Sequence, residues 1–157
     1  MPKENESRKR TIISTRVIEA PAAIVFNAWK DPNILMTWWG PDGFTNTFHE
    51  FDFTSDGKWS FIMHGPDGTN YPNTNIFREI DEPHVIVFDH IEPIHAFTAT
   101  ARFVAAGDDT ELSFCMQFES AEEYDRVKPF VIDANEQNFN RLEKALKKII
   151  SSNTSLV

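Results

Sequence analysis

One apolar stripe at helical spacing dominates the last part of this chain and sets what the rest must become. Phe130, Val131, Ala134, Phe139, Leu142, Ala145, Leu146, Ile149 and Ile150 recur at the α-helical period. A lone helix of this kind needs a broad apolar partner, and the segments upstream can supply one only as a sheet. Six runs of strand character precede it, at residues 44–53, 58–64, 71–80, 84–91, 97–105 and 111–118. Trp59, Phe61 and Met63 alternate, as do Leu112, Phe114, Met116 and Phe118, so each run has one apolar face. Turn chemistry separates the runs: Ser55-Asp56-Gly57, Pro66-Asp67-Gly68, Asp81-Glu82-Pro83, Glu92-Pro93 and Gly107-Asp108-Asp109. Connections this short imply an antiparallel meander. The β-branched run 11–19 adds a first strand at an edge.

Between that first strand and the meander lie two short helices. Ala20-Pro21 ends the strand, and Ile24, Val25, Ala28 and Trp29 then follow helical spacing. Asp31-Pro32 opens a second helix through Leu35 to Trp38-Trp39, which Gly40 and Pro41 stop. Gly-Pro-Asp-Gly occurs at 40–43 and again at 65–68. Each copy is a rigid turn, because proline fixes φ and glycine supplies φ > 0. Ser120-Ala-Glu-Glu123 fits a capping box. Pro129 would cost about 3 kcal/mol inside a continuous helix. A short helix to Val127 is therefore expected, with Pro129 opening a new one. The expected fold is α+β: a curved antiparallel sheet of six to seven strands, two short helices, and a long C-terminal helix over the concave face. A single domain at 11–150 is expected between a flexible leader (1–10) and a flexible tail (151–157).

Charge and composition narrow the function. Twenty-four acidic residues against 15 basic give a net charge of −9, which argues against a nucleic-acid partner. No apolar run approaches the roughly 18 residues a membrane span needs, and no signal sequence opens the chain. A cytoplasmic protein is expected. Cys115 is the sole cysteine, so it can form neither an intrachain disulfide nor a thiolate metal site, and it is expected to be structural. Arg141, Lys144, Lys147 and Lys148 cluster near the end of the last helix, where complementing the helix dipole is the simplest reading. Fourteen phenylalanines and four tryptophans are enough both to fill a core and to wall a cavity.

An ordered set of residues resembles the START-like SRPBCC superfamily, which has a helix-grip (START-like/Bet v-like) fold. More narrowly, the chain resembles the branch related to the C-terminal domain of the heat-shock protein 90 ATPase activator. The resemblance spans roughly residues 11–150. It rests first on Ala20-Pro21, Val25-Phe26, Trp29, Asp31-Pro32, Trp38-Trp39-Gly40-Pro41 and Phe44. Gly57, Met63, Gly65-Pro66-Asp67-Gly68, Tyr71-Pro72-Asn73, Arg78-Glu79-Ile80 and Pro83 continue it. Thr110, Leu112, Phe118, Ser120 to Glu123, Asn135-Glu136-Gln137 and Arg141-Leu142 complete it. It implies a ligand-holding cavity without implying one activity, because members of the superfamily do different things.

Candidate site residues follow from the pattern. Trp38, Trp39, Trp59, Phe61, Met63, Tyr71, Phe77, Phe97 and Phe114 are the expected cavity wall. Asn135 and Asn138 interrupt the apolar side of the last helix, where a buried amide needs a partner or a ligand. His90 sits on the strand expected at the sheet centre and is the best-placed acid/base. The five histidines, His49, His64, His84, His90 and His95, have no metalloprotease spacing. His90 and His95 flank Glu92, the nearest approach to a ligand set, and solvated turn histidines explain them more simply. Glu50 and Asp52 fit a solvated face, and no nucleophile elbow or phosphate loop occurs. No metal, cofactor or catalytic residue is assigned.

The leading expectation is a protein that binds a small apolar or aromatic molecule. The alternatives are a cyclase- or hydrolase-type enzyme using His90 or Tyr71, and a chaperone-ATPase-activator-like interaction protein. A chaperone partner is disfavoured because no second domain is available to bridge a chaperone dimer. A homodimer is left open.

Overall fold

A computed structural model describes residues 10–92 and 96–155 of the chain. Seven strands form one antiparallel sheet: β1 (Thr11–Ile18), β2 (Thr45–Phe51), β3 (Lys58–His64), β4 (Asn70–Asp81), β5 (Val85–Glu92), β6 (Phe97–Ala106) and β7 (Asp109–Phe118). Their order is β1-β7-β6-β5-β4-β3-β2, so β1 closes one edge and β5 lies at the centre. The meander from β2 to β7 follows from its short turns. The second glycine of each Gly-Pro-Asp-Gly turn has φ > 0, at +85° for Gly43 and +87° for Gly68.

Helices α1 (Ala22–Lys30) and α2 (Pro32–Trp38) connect β1 to β2. Pro21 stands at the N-cap of α1. Asp31 caps α2 by accepting the Asn33 amide at 2.9 Å, with Pro32 in its first turn. Gly40, at φ +100°, ends that segment.

The last helix, α3 (Ala121–Ser155), departs from expectation. Ser120 Oγ accepts the Glu123 amide at 3.1 Å, as the capping box requires. The helix then continues unbroken through Pro129 to Ser155. Asp125 and Pro129 are both exposed, so water can satisfy the carbonyl that the missing proline N–H would have bound. The stripe is also narrower than the sequence implies. Val127, Asn135, Phe139, Leu142 and Leu146 are buried, whereas Phe130 is 75% exposed.

The core fills the concave face beneath the C-terminal half of α3. Trp59, Phe61, Phe77, Phe88, Phe103 and Leu112 on the sheet meet Phe26, Trp29 and Trp38 from the short helices. Phe26 meets Phe103 edge to face at 5.2 Å, and Trp29 meets Trp38 at 5.1 Å. Glu50 and Asp52 are exposed, as a solvated edge requires. A register shift between Phe48 and Glu50 leaves His49 unpaired on the edge strand β2.

Candidate functional site

The N-terminal half of α3 stands off the sheet and leaves an open cleft of about 840 Å³. Strands β3 to β7 form its floor through Phe61, Met63, Phe88, Phe97, Phe114 and Met116. Val131, Ala134, Asn135 and Asn138 face it from α3, and the turn from Trp39 to Phe44 closes one side. Tyr71, 41% exposed, sits at the mouth with its ring 6.0 Å from that of Phe44.

Most of the expected wall is here. Trp39, Phe61, Met63, Tyr71 and His90 line the cleft, as do Phe97, Phe114, Asn135 and Asn138. Trp38, Trp59 and Phe77 do not. Trp38 is buried beneath α1 and donates its indole N–H to the Ala28 carbonyl at 3.1 Å. Trp59 lies between the rings of Phe61 and Phe77, at 4.7 and 5.9 Å, in the filled part of the core. These three correct the expectation, because the same concave face supplies both packed core and open cleft. Phe88, Met116 and the mouth residues Phe44 and Phe130 were not expected. Alternation marks Phe88 and Met116 as inward-facing, so that signal was available for them. Phe130 belongs to the apolar stripe that the sequence assigns to the core.

The polar groups at the cleft are mostly committed to the protein. His90 is buried, stacks on Phe97 at 4.8 Å, and places Nδ1 2.7 Å from Asn75 Oδ1. Asn75 is itself buried, so the pair is a fixed polar unit in an apolar floor. Asn135 donates through Nδ2 to Ser14 Oγ at 3.2 Å and approaches Met116 Sδ at 3.6 Å. Asn138 Oδ1 accepts the Gly40 amide at 3.2 Å, and Gln137 Oε1 accepts the Asp42 amide at 3.0 Å.

The most heavily bonded side chain beside the cleft is one for which the sequence suggested another role. Arg141 donates to the carbonyls of Thr37, Trp39, Gly40, Pro41 and Phe44, at 2.8 to 3.2 Å. Burial, only partly offset by the charge of Asp42, holds its guanidinium below the usual arginine range. The helix-dipole reading of the basic cluster therefore fails, since the last turn of α3 holds no basic residue. Arg141, Asn138 and Gln137 instead fix the Trp39–Phe44 turn against α3. That turn is also tight: a Cβ on Gly40 would stand 2.8 Å from Met63 Cε.

His95 and Pro93 lie outside the described residues. Among the described residues, no three His, Cys, Asp or Glu side chains are grouped to hold a metal ion. None of the described helices is long and apolar enough to cross a membrane. Burial pushes the Cys115 thiol up, with Arg102 opposing more weakly.

A seven-stranded antiparallel sheet gripping one long helix, with a cleft between them, defines a helix-grip protein of the START-like class. Within that class the chain belongs to the family described as activator of Hsp90 ATPase homolog 1-like protein, matched over residues 19–148. Solved structures share the fold. A protein from Arthrobacter aurescens is 24% identical, with a TM-score of 0.83 over 90% of this chain and 88% of that one. One from Nitrosomonas europaea is 16% identical, with a TM-score of 0.84 over 91% and 97%. One from Mycobacterium smegmatis is 24% identical, with a TM-score of 0.81 over 91% and 94%. At such identities the likeness carries the fold alone. Comparison with functionally curated proteins gives no match.

Proposed function

We propose that this is a cytoplasmic binding protein for a small apolar or aromatic molecule held between α3 and the sheet. The observation that carries the reading is the cleft itself. Its volume of about 840 Å³ suits a drug-sized ligand, and its walls are mainly aromatic and aliphatic. Binding there would bury apolar area against rings already held by the core, so little ordering cost opposes it. The Asn75–His90 unit and Asn135 supply the few polar contacts that orient such a ligand. No reaction is assigned; His90 Nδ1 lies 2.7 Å from the Asn75 side-chain oxygen, a contact that fixes the ring.

The test is a thermal-shift and native mass-spectrometry screen of fatty alcohols, fatty acids, naphthols and polycyclic aromatic polyketides. A true ligand at a hundred times its dissociation constant adds about 2.7 kcal/mol of stability. Ala134→Trp, which fills the cleft from the helix side, should abolish the shift while leaving the apoprotein folded. A panel that produces neither bound mass nor stabilisation would overturn the reading.

A further inference from the structure

We infer that a second groove, on the far side of the Trp39–Phe44 turn, binds a phosphate monoester carrying an apolar group. The groove, of about 650 Å³, runs between α2 and the C-terminal half of α3. Four cations line it, Arg141, Lys144, Lys147 and Lys148, against the single carboxylate of Asp42. This concentration of positive charge occurs in a chain of net charge −9.

Several cations elsewhere in the protein are paired with carboxylates. Arg16 bridges Glu136 and Glu143, Lys30 meets Glu82, Arg78 meets Asp56 and Asp89, and Arg126 meets Glu123. Lys144, Lys147 and Lys148 have no carboxylate partner among the described residues, and all three are exposed. Their spacing puts like charges three and four residues apart on one helix face, where they repel. The helix end is not the explanation, because α3 continues to Ser155. Arg141 adds a charge whose hydrogen bonds go to carbonyls and not to a carboxylate. A dianion seated in the groove would relieve this repulsion and accept charge-assisted hydrogen bonds from the lysines.

The rest of the lining defines the other half of the ligand. Ile34, Ala145 and Ile149 give the groove an apolar side that inorganic phosphate would leave uncovered. Asn33 and Thr37 supply neutral polar groups beside it. An anion bonded to an aromatic or alkyl group matches both halves. A soluble phosphate ester and a phosphatidic acid headgroup share that chemistry.

The experiment titrates the full chain with phenyl phosphate at low ionic strength and follows backbone amides by NMR, with phenol as the uncharged control. A parallel arm measures co-sedimentation with phosphatidylcholine vesicles containing phosphatidic acid. Saturable shifts confined to residues 33–37 and 141–149, absent with phenol, are expected. The combined Lys144→Gln, Lys147→Gln and Lys148→Gln variant should bind at least about tenfold more weakly, and salt should weaken binding to the native chain. Replacing the same lysines with arginine should preserve binding, which separates charge from any loss of fold. Saturation with phenyl phosphate assigns a soluble ester, and vesicle binding alone assigns a lipid headgroup. No saturable response in either arm, or equal binding by the glutamine variant, would overturn the inference.

Discussion

Replacing Arg141 with methionine should be the most damaging single change outside the aromatic core. Methionine keeps most of the stem's apolar packing and removes every donor to five carbonyls of the 37–44 segment; Trp39 keeps the bond from the Asn46 side chain and Pro41 the one from the Phe44 N–H. Hydrogen bonds to a charged group contribute about 1.5–3 kcal/mol each. The five do not add at that rate, because the Thr37 contact is exposed and water can replace it. The bonds to Gly40, Pro41 and Phe44 are the shortest, at 2.8 to 2.9 Å, and half-buried. Counting mainly those, and subtracting the cost of desolvating an unpaired guanidinium, leaves a loss of about 3–5 kcal/mol. For a chain of this length each kcal/mol moves Tm by about 2–4 °C, so the melt should fall by at least about 6 °C. Urea unfolding followed by tryptophan fluorescence would measure it, with an unchanged m-value showing that stability alone has moved. Amide exchange at Gly40 and Asp42 should accelerate, because the turn they belong to loses its clamp. Arg141→Lys should recover only part of the loss, since three donors on a point charge cannot span the same carbonyls. A methionine variant within about 1 kcal/mol of the native chain, or a lysine variant equal to it, would refute this reasoning.

Four further substitutions have definite signs. Burial raises the Asp89 pKa, but hydrogen bonds from Arg78 and Thr98 and the charge of Arg78 outweigh it, so the carboxyl lies below its usual range. Its contribution to stability is therefore present above about pH 4 and lost as pH falls through the lowered folded value. Arg78→Gln should raise the Asp89 midpoint in an NMR titration and remove part of the native chain's acid-induced destabilisation. Trp38→Phe gives up the indole bond to Ala28, whereas Trp59→Phe removes a buried N–H with no partner among the described residues. The first should therefore cost about 1–2 kcal/mol more than the second in chemical denaturation. Gly57→Ala would drive a Cβ into the Asp52 backbone carbonyl, which cannot yield as a flexible side chain would, and should cost at least about 2 kcal/mol in the same assay.

Much of the fold is legible in the sequence because each level agrees with the next. Alternating residues such as Leu112, Phe114 and Met116 mark a face, the turns mark the boundaries, and the caps at Asp31 and Ser120 mark helix starts. Pro129 shows where local propensity misleads. The intrinsic penalty is real, but the lost hydrogen bond lies on the exposed face, while packing of Val127 and Asn135 on either side holds the helix together.

The site is less legible because alternation identifies the inward face without giving depth along it. Trp59 and Phe61 are neighbours on the concave side of β3, yet only Phe61 reaches the cleft. What separates them is the line where α3 lifts off the sheet, and that line depends on contacts between distant segments. Arg141 shows this most clearly. In the sequence it belongs to a basic cluster, and nothing local connects it to Gly40, about a hundred residues earlier. Folding brings α3 across the turn after α2, where several carbonyls converge and a guanidinium can bond to all of them at once. That contact fixes Trp39, and Trp39 forms one side of the cleft. The same helix face then runs on to Lys144, Lys147 and Lys148. Arg141 thus stands between two surfaces of opposite character, an aromatic cleft and a basic groove, and one clamp shapes both.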